Sequence, residues 1–371
     1  MKVAVIGAGI IGTALAWRLA DAGAGVLVVD AGQPGAATTA ASLAWVNASS
    51  TADDAYFALR AAAVDEHRRI AEELGGKWIL AAGHLQWADT QRETSALLDR
   101  YSRLRSRGYP AELLTPVQAS ATLESSVRFA GPDHPVLHTP HEMAINAPGM
   151  ARHMLSAAAA RGAVPALGRP VRAITTLGGR IASISVGNSH HEVDAVVNAA
   201  GADADHVASM AGLRLPLREE PGLVARLCCD EMPVRHTMHA PGIEIRPDGP
   251  GRVLLHSPAV DIHLPSDGYA HDQHIDMLRQ AASQIVPALA GAQLHGSRVG
   301  WRPVPWDGMP CVGGIASVPG YYEAVTHSGV TLAGIVAKLL TSEILTGRVH
   351  PLLTPFRPDR DTRWSRETAS T

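Results

Sequence analysis

The chain has 371 residues, of which 46% are hydrophobic and 18% are charged, and its formal net charge at pH 7 is -3. This length favours about two domains and is sufficient for a large hydrophobic core. The apolar content excludes a wholly disordered chain, and the lack of a basic excess argues against a protein that coats nucleic acid.

The chain contains three cysteines, Cys228, Cys229 and Cys311. Because the number is odd, two are adjacent and no Cys-x-x-Cys occurs, the sequence predicts neither a disulfide framework nor a cysteine metal site. A reducing compartment is the simplest interpretation, and we expect a cytoplasmic protein. The uncharged run 3–17 imitates a signal peptide, but it is too short to span a bilayer, so we expect no membrane span.

The first thirty residues have the pattern of a βαβ unit with parallel strands. The predicted elements are a strand over 3–6, a helix over 13–22 and a second strand over 26–29. Gly7, Gly9 and Gly12 stand between the first strand and the helix in the spacing Gly-x-Gly-x-x-Gly, and Asp30 ends the second strand.

In this context the glycines predict a tight turn that brings the backbone and the helix N-terminus close to a pyrophosphate. The carboxylate of Asp30 is placed to bind ribose hydroxyls, which argues against NADPH. The motif alone does not separate NAD from FAD, and a unit whose glycines serve only packing stays open.

The rest of the chain has βαβ signals near its end and an antiparallel character in the middle. We predict strand-like pieces at 79–80 and 84–87, loops at Pro132, Pro135 and Pro140, a hairpin of 171–174 with 180–186, a strand at 193–199, short strands within 222–264, helices over 53–74, 90–107, 150–160 and 270–286, and a long helix or strand-to-helix unit over 325–345. This order predicts an α/β fold with a Rossmann-like nucleotide-binding domain built from discontinuous segments. An antiparallel-sheet α+β substrate domain is inserted between them.

Four segments, in order along almost the whole chain, carry a more specific signal. They are the βαβ unit running into Gly35-Ala36-Ala37-Thr38-Thr39-Ala40-Ala41-Ser42, then Val171, then Val196 to Gly201, and finally Gly300 to Thr331 with its Gly-Trp-Arg-Pro, Asp-Gly-x-Pro-x-Val-Gly and His-Ser-Gly sequences. Together they resemble the FAD-dependent amino acid oxidases and dehydrogenases. This family includes glycine oxidase, D-amino-acid oxidase, D-amino-acid dehydrogenase and sarcosine oxidase.

The resemblance implies that 1–78, 146–215 and 298–371 form an FAD-binding domain and that 79–145 and 216–297 form a substrate-binding domain. In the family, the last helix directs its N-terminus at the flavin pyrimidine carbonyl, where negative charge accumulates on reduction. The residues implied to bind FAD are Gly7, Gly9, Ile10, Ile11, Gly12, Asp30, Ala31, Ala37, Thr38, Thr39, Ala41, Ser42, Leu43, Val171, Ala199, Ala200, Gly201, Gly300, Arg302, His327, Ser328, Gly329, Val330 and Thr331.

The resemblance also implies that FAD is bound non-covalently. Relatives that attach the flavin use a cysteine, whose matching position here is near Gly300, or a histidine in the small-residue loop, where this chain has Thr39. A further departure is Thr331, which replaces a glycine that often follows the His-Ser-Gly segment.

In enzymes of this family a hydride passes from the carbon that bears the amine to flavin N5, and the protein binds and orients the substrate. We expect Arg302 to hold the substrate carboxylate in a bidentate pair; a structural ion pair with Asp307 is the alternative. We expect His327 to tune the flavin or accept a proton, and an ordering role in the turn is the alternative. Three aromatic side chains either wall the pocket or belong to the core: Trp45, Trp301 and Trp306.

The expected reaction oxidises an amino acid or related amine to an imine, which hydrolyses, with O2 (giving H2O2) or another acceptor taking the electrons. Some relatives activate oxygen with a lysine, and Arg252 or His256 can supply the cation here instead. The three lysines lie outside the segment 216–300 that supplies that face: Lys2, Lys77 and Lys338.

Other functions stay open. A 2-hydroxy-acid dehydrogenase of the same fold would oxidise C–OH instead of C–N. A flavin monooxygenase or halogenase usually has a Gly-Asp-Ala-x-His segment that this chain lacks, and Arg302 and His327 argue against an FAD-binding protein without activity. His134, His138 and His141 have ligand-like spacing, but we expect no metal because prolines interrupt them and no acids support them. The substrate and the oligomeric state stay open.

Overall fold

The N-terminal segment forms the βαβ unit that the sequence predicts.

The computed structural model describes residues 1–265 and 268–360, so the end of the predicted 298–371 segment lies outside the described residues. The strands are β1 (Lys2–Ile6), β2 (Gly25–Asp30), β3 (Trp45–Val46), β4 (Ile79–Gln86), β5 (Glu112–Leu114), β6 (Val136–Ile145), β7 (Val164–Leu167), β8 (Val171–Leu177), β9 (Arg180–Val186), β10 (Ser189–Glu192), β11 (Ala195–Asn198), β12 (Leu217–Cys228), β13 (Thr237–Ala240), β14 (Ile243–Pro247), β15 (Arg252–His256), β16 (Gln293–Pro305), β17 (Cys311–Gly314) and β18 (Tyr321–Val325). The α-helices are α1 (Ile10–Asp21), α2 (Asp54–Leu74), α3 (Gln91–Ser106), α4 (Pro116–Thr122), α5 (Ala147–Ala159), α6 (Ala204–Ser209), α7 (Pro258–Asp261), α8 (Asp272–Ile285) and α9 (Gly329–Thr346).

A six-stranded sheet has the order β17-β18-β11-β1-β2-β7, and all its pairs are parallel except β17 with β18. Alternate residues of β1 point to opposite faces, as strand geometry requires. Val3 and Val5 pack with α1, α5 and α9, whereas Ala4 and Ile6 pack with the three-stranded sheet β8–β10. Both faces of this parallel sheet are therefore buried, which explains the continuous apolar run of β1.

A second sheet has the order β16-β12-β15-β14-β13-β4-β6-β3, with β5 beside β6, and is antiparallel except where β13 pairs with β4. One face packs on α8 through residues such as Leu223, Ala225 and Leu255. On the other face, Val224 and Leu254 contact Ala41. This second face therefore meets the loop that follows the glycine turn.

Three details differ from the sequence-based expectations. Pro140 lies inside β6 and not in a loop, because the pairing with β4 shifts between Ala82 and His84 and this bulge accommodates the missing N–H. The helix predicted from Thr13 begins at Ile10 after the extended N-cap Gly9. The short strands predicted over 222–264 include the long strand β12, which has 12 residues.

The division into two domains remains a prediction, and the sheets cross its boundaries at two points. The boundary at 298 falls inside β16, a continuous strand of 13 residues. The strand β3, from the predicted segment 1–78, joins the second sheet.

Helix α9 is, among the described residues, the one helix whose length and composition would allow it to cross a membrane. In the structure, 67% of it is buried inside the molecule, where it packs on α1 and α2. Burial of this kind is typical of a core helix, so its apolar composition is weak support for a membrane span.

The segment after α9 is fixed to the first sheet by a buried ion pair. Arg357 Nη1 lies 2.7 Å from both carboxylate oxygens of Glu343, and Arg357 Nη2 donates to the carbonyl of Gly314. Only 5% of the Glu343 side chain is exposed. Removal of one partner would leave a buried charge without compensation.

We therefore expect Arg357→Ala to lower the free energy of unfolding by about 3 kcal/mol, measured by urea denaturation. Arg161→Ala is the control, because its ion pair with Asp21 is about 40% exposed on both sides. That pair contributes below about 1 kcal/mol. Equal losses in both variants would contradict a structural role for the buried pair.

Candidate functional site

The glycines of the first turn have different structural roles. A Cβ atom on Gly7, whose φ is +108°, would lie 2.3 Å from the Ala199 carbonyl oxygen, and one on Gly12 would lie 1.8 Å from the Gly7 carbonyl oxygen. These two glycines permit close packing of backbone on backbone. A Cβ on Gly9 would meet only Thr39 Oγ1, at 3.5 Å, so Gly9 faces open space.

That open space belongs to a cavity of about 710 Å³ between the two sheets, a size typical of a ligand pocket. The predicted FAD-binding residues that line it are Gly9, Ile10, Ile11, Thr38, Thr39, Ala41, Ser42, Leu43, Ala199, Gly201, Arg302, His327, Ser328, Gly329, Val330 and Thr331. The fold therefore brings together segments that are up to about three hundred residues apart in the chain.

The other predicted cofactor residues do not line this cavity: Gly7, Gly12, Asp30, Ala31, Ala37, Val171, Ala200 and Gly300. Asp30 accepts hydrogen bonds from the backbone N–H groups of Ala8 and Gly32 and thereby fixes the turn. A Cβ on Gly300 would lie 2.5 Å from Ala41 Cβ, so this glycine lets β16 approach the small-residue loop. Val171 begins β8 in the three-stranded sheet.

Two helix N-termini open on the cavity. The N-cap residues are Gly9 for α1 and Ser328 for α9, and neither forms a side-chain cap hydrogen bond. At α1, the N–H of Ile10 donates to Thr39 Oγ1. The other N–H groups of the first turns and the positive end of the helix dipole favour anionic or carbonyl oxygen at both ends. These donors, and the open side of Gly9, fit the diphosphate and the pyrimidine of FAD.

Arg302 projects into the cavity from β16. Its Nη2 atom lies 2.7 Å from Asp261 Oδ2 and 2.7 Å from the carbonyl oxygen of Pro221. Its Nε atom is buried and has no hydrogen-bond partner among the described residues. Arg302 does form the ion pair of the alternative interpretation, but with Asp261 and not with Asp307, which pairs with Arg360.

His327 lines the cavity, where its side chain is exposed, and protein surrounds it on its other sides. Burial, followed by the positive charges of Arg302 and Arg60, lowers the pKa of His327 to about 4. The imidazole is therefore neutral at pH 7 and binds an additional proton weakly. This favours the tuning or ordering roles over the role of a proton acceptor.

A row of charged groups crosses the cavity face of the second sheet. His256 Nδ1 lies 2.5 Å from Glu244 Oε2, and His256 Nε2 lies 2.9 Å from Asp261 Oδ2. Burial lowers the pKa of His256, but the hydrogen bonds to Asp261 and Glu244 outweigh burial and raise it to about 9. Burial raises the pKa of Glu244, but His239 and His256 outweigh it and hold it well below the usual range.

Sequence reasoning missed several residues that line or support the cavity. They are Arg60, Gln86, Arg100, His239, Glu244 and Asp261. No motif contains them, and only the register of the sheet, which pairs Glu244 with both His239 and His256, brings this row together.

The remaining candidates are dispersed. Trp45 lines the cavity, whereas Trp301 packs beside Gly268 and Trp306 is 52% exposed. Of the two proposed cations, His256 lines the cavity and Arg252 instead donates to the carbonyl of Asp248. 

His134, His138 and His141 do not converge. His134 contacts Thr94, and His138 contacts Glu112. Within residues 1–265 and 268–360, no group of three or more His, Cys, Asp or Glu side chains is arranged to hold a metal ion.

The raised pKa of His256 predicts a pH-dependent stability. The pKa of His256 is about 9 in the folded state, and its ordinary value is 6.5. The contribution of His256 to the free energy of unfolding is therefore complete below pH 6.5 and is lost as the pH rises through 9. We expect a loss of ~3 kcal/mol over this interval. Urea denaturation at pH 6, 8 and 9.5 should show this loss in the wild type, with a smaller one in His256→Gln. Identical slopes in both proteins would contradict a charged His256.

The comparisons with known proteins agree with this geometry. Residues 2–343 match the family model described as FAD dependent oxidoreductase (DAO). The chain is 24% identical to the uncharacterized oxidoreductase YurR of Bacillus subtilis (strain 168) over 95% of this chain and 97% of that protein. It is 25% identical to the glycine oxidase of Geobacillus kaustophilus (strain HTA426) over 95% of each chain.

Solved structures share the same fold. The crystal structure of glycine oxidase from Geobacillus kaustophilus superposes with a TM-score of 0.88 over 97% of this chain and 99% of that one, at 24% identity. The iminodiacetate oxidase from Chelativorans sp. BNC1 gives a TM-score of 0.82 over 96% and 98%, at 23% identity. Since the family match covers most of the sequence, the chain belongs to the DAO family of FAD-dependent oxidoreductases, and FAD is its cofactor.

Proposed function

We propose that the protein oxidises the C–N bond of an amino acid or related amine to an imine that hydrolyses. The observation that carries this proposal is the side chain of Arg302, which lines the same cavity as the N-termini of α1 and α9 and has no hydrogen-bond partner at Nη1 among the described residues. The names of two relatives, glycine oxidase and iminodiacetate oxidase, accord with a substrate that bears both a nitrogen and a carboxylate.

The N-terminus of α1 and Gly9 would hold the diphosphate of FAD, and the N-terminus of α9 would face the pyrimidine ring. When bound, FAD supplies the acceptor for the hydride that leaves the carbon beside the nitrogen. The binding is non-covalent in this proposal, since Thr39 stands at the histidine position of covalently attached relatives. None of the described residues that line the cavity is a cysteine.

Arg302 would bind the substrate carboxylate and orient the substrate. Asp261 and the carbonyl of Pro221 hold its Nη2 atom, so the guanidinium is fixed before substrate arrives. Its Nη1 atom remains available for charge-assisted hydrogen bonds. Because the donor is fixed in advance, less conformational entropy of the side chain is lost when the substrate binds.

C–N oxidation requires the amine of the substrate in its neutral form. The positive charges of Arg302 and His256 are compensated by Asp261 and Glu244. Because its pKa is lowered to about 4, His327 is a weak acceptor for the substrate proton.

The electrons pass to O2, with hydrogen peroxide as product, or to another acceptor; His256 supplies a cation for the first route. We propose a cytoplasmic location. Oxidation of a 2-hydroxy acid would use the same Arg302 contact, and the products distinguish the two reactions.

The decisive experiment is an absorption spectrum of the purified protein before and after acid precipitation, followed by anaerobic addition of amino acids, N-alkyl amino acids and 2-hydroxy acids. We expect a yellow protein that releases free FAD and is bleached by an amine, with ammonia or a primary amine as product. Bleaching by 2-hydroxy acids alone, or by no compound, would contradict the proposal.

Substitution of Arg302 should affect only substrates that carry a carboxylate. We expect Arg302→Gln to lower kcat/KM for such a substrate by roughly 100-fold, because a charge-assisted hydrogen bond is lost. The corresponding amine without a carboxylate should be affected much less. Arg218→Gln, at an arginine that is exposed near the start of β12, is the control. Equal losses for both kinds of substrate would contradict the assigned role.

The glycines should separate folding from cofactor binding. We expect Gly12→Ala to lower the free energy of unfolding by about 1–3 kcal/mol, because its Cβ would overlap the Gly7 carbonyl. Gly9→Ala should fold normally and bind FAD at least about 10-fold more weakly, since the methyl group occupies the space of the diphosphate. Thermal unfolding of the apoprotein and flavin fluorescence titration measure the two effects. Full FAD affinity in Gly9→Ala would contradict this assignment.

A further inference from the structure

Two arginines that line the cavity, Arg60 and Arg100, have no carboxylate partner in the described part of the chain, and Arg60 donates to Asn47 and Ser328. Arg100, on α3, donates from Nη1 to the side-chain oxygen of Gln86 at the end of β4, and both residues line the same cavity as Arg302. In the described part of the chain, Arg100 forms no ion pair, whereas Arg302 is paired with Asp261. Arg100 is half-buried, so its charge is partly removed from water, and this burial lowers its pKa.

The carboxylate with the largest effect on Arg100 is already engaged. Glu142 raises the pKa of Arg100 through its charge, but it is fully buried and its oxygens accept hydrogen bonds from other groups. These donors are the N–H groups of Ala48 and Ser49 and the hydroxyls of Thr139 and Tyr109. Arg100 therefore keeps most of its donors for a partner in the cavity.

The neighbours of Arg100 can donate a further hydrogen bond to a bound anion, but none of those in the described part of the chain neutralises the charge of Arg100. Gln86 accepts from Arg100 through its oxygen, so its NH2 group remains as a donor. Both ring nitrogens of His239 are engaged, one with His84 and one with Glu244, so His239 does not compete for the anion.

From these contacts we propose that Arg100, with Gln86, binds a second carboxylate of the substrate. The inference rests on the proposed function and narrows its substrate class to an amino acid that carries a second carboxylate. A partly buried guanidinium gains most from an anionic partner, and a carboxylate fits its fork in two hydrogen bonds.

The sheet also limits the length of this substrate. Gln86 lies on β4 and His256 on β15, three strand spacings away, so their backbones are roughly 14 Å apart. Arg302 adjoins His256 through their common partner Asp261. Arg302 itself stands on β16, two strands beyond β15, and its side chain reaches back to Asp261, whereas the side chain of Arg100 reaches Gln86. The two carboxylates are therefore separated by several bonds, as in glutamate, 2-aminoadipate or an N-(carboxyalkyl) amino acid.

The first test is equilibrium binding of compounds that cannot be oxidised. Unbranched dicarboxylates from malonate to suberate and monocarboxylates of equal length are titrated into the FAD-loaded enzyme, with calorimetry and the flavin spectrum as readouts. We expect one dicarboxylate of intermediate length to bind roughly 10- to 100-fold more tightly than its monocarboxylate partner. Equal affinities across all pairs would overturn the proposal.

Variants then assign this preference to Arg100. We expect Arg100→Gln to lose the preference for dicarboxylates and Arg100→Lys to retain part of it, because lysine keeps the charge but not the fork. Arg103→Gln, at an exposed position of the same helix, is the matched control and should keep the preference. A preference that survives in Arg100→Gln would overturn the assignment. The wild-type comparison decides the matter even if Arg100→Gln fails to fold.

The substrate class is tested with norvaline against glutamate and norleucine against 2-aminoadipate, both enantiomers of each. We expect a higher kcat/KM for the dicarboxylic member of a pair, with the difference removed in Arg100→Gln. If no amine reduces the enzyme but dicarboxylates bind selectively, the proposed function fails and the subsite stands. If monocarboxylic amino acids are oxidised and dicarboxylates show no preference, the subsite fails and the proposed function stands.

Discussion

The close contact between two backbone turns at the carboxyl edge of the first sheet is the constraint on which the site depends. Gly7 lies so near the Ala199 carbonyl, and Gly12 so near the Gly7 carbonyl, that any side chain at either position would overlap main-chain atoms. Parallel pairing of β1 with both β2 and β11 imposes this approach. As a result, the N-terminus of α1 opens on the cavity instead of being covered by the following strand.

The second sheet supplies charged side chains to the cavity, whereas the helices packed on the first sheet supply their N-termini. Antiparallel register places Glu244 opposite both His239 and His256, and Asp261 joins His256 to Arg302. Acids and bases thus alternate along the cavity face, so most buried charges there have a partner, as burial requires. Arg60 and Arg100 stand outside this alternation; Arg60 makes three hydrogen bonds, whereas Arg100 makes one, to Gln86, which is why Arg100 indicates a further ligand.

Local sequence patterns were sufficient for the parts of the fold that are determined by neighbours in the chain. The βαβ unit, the β8–β9 hairpin and α9 all follow from periodicity and glycine positions, and Arg302 and His327 lie in the cavity as the resemblance implies. Pro140 was misplaced because a bulge in its own strand, opposite Gly83 of β4, made a proline acceptable within a sheet. The Arg302–Asp261 pair and the position of Arg100 could not be predicted, because both depend on the register of distant strands and on no local motif.

The hydrogen bond from Thr38 Oγ1 to the carbonyl of Trp301, 2.7 Å long, joins the small-residue loop to the residue directly before Arg302. This bond connects the loop that we propose to lie along FAD directly to the strand that presents Arg302. In that proposal the two sites are linked, and by thermodynamic reciprocity a carboxylate bound at Arg302 changes the affinity for FAD by the same factor by which FAD changes the affinity for the carboxylate.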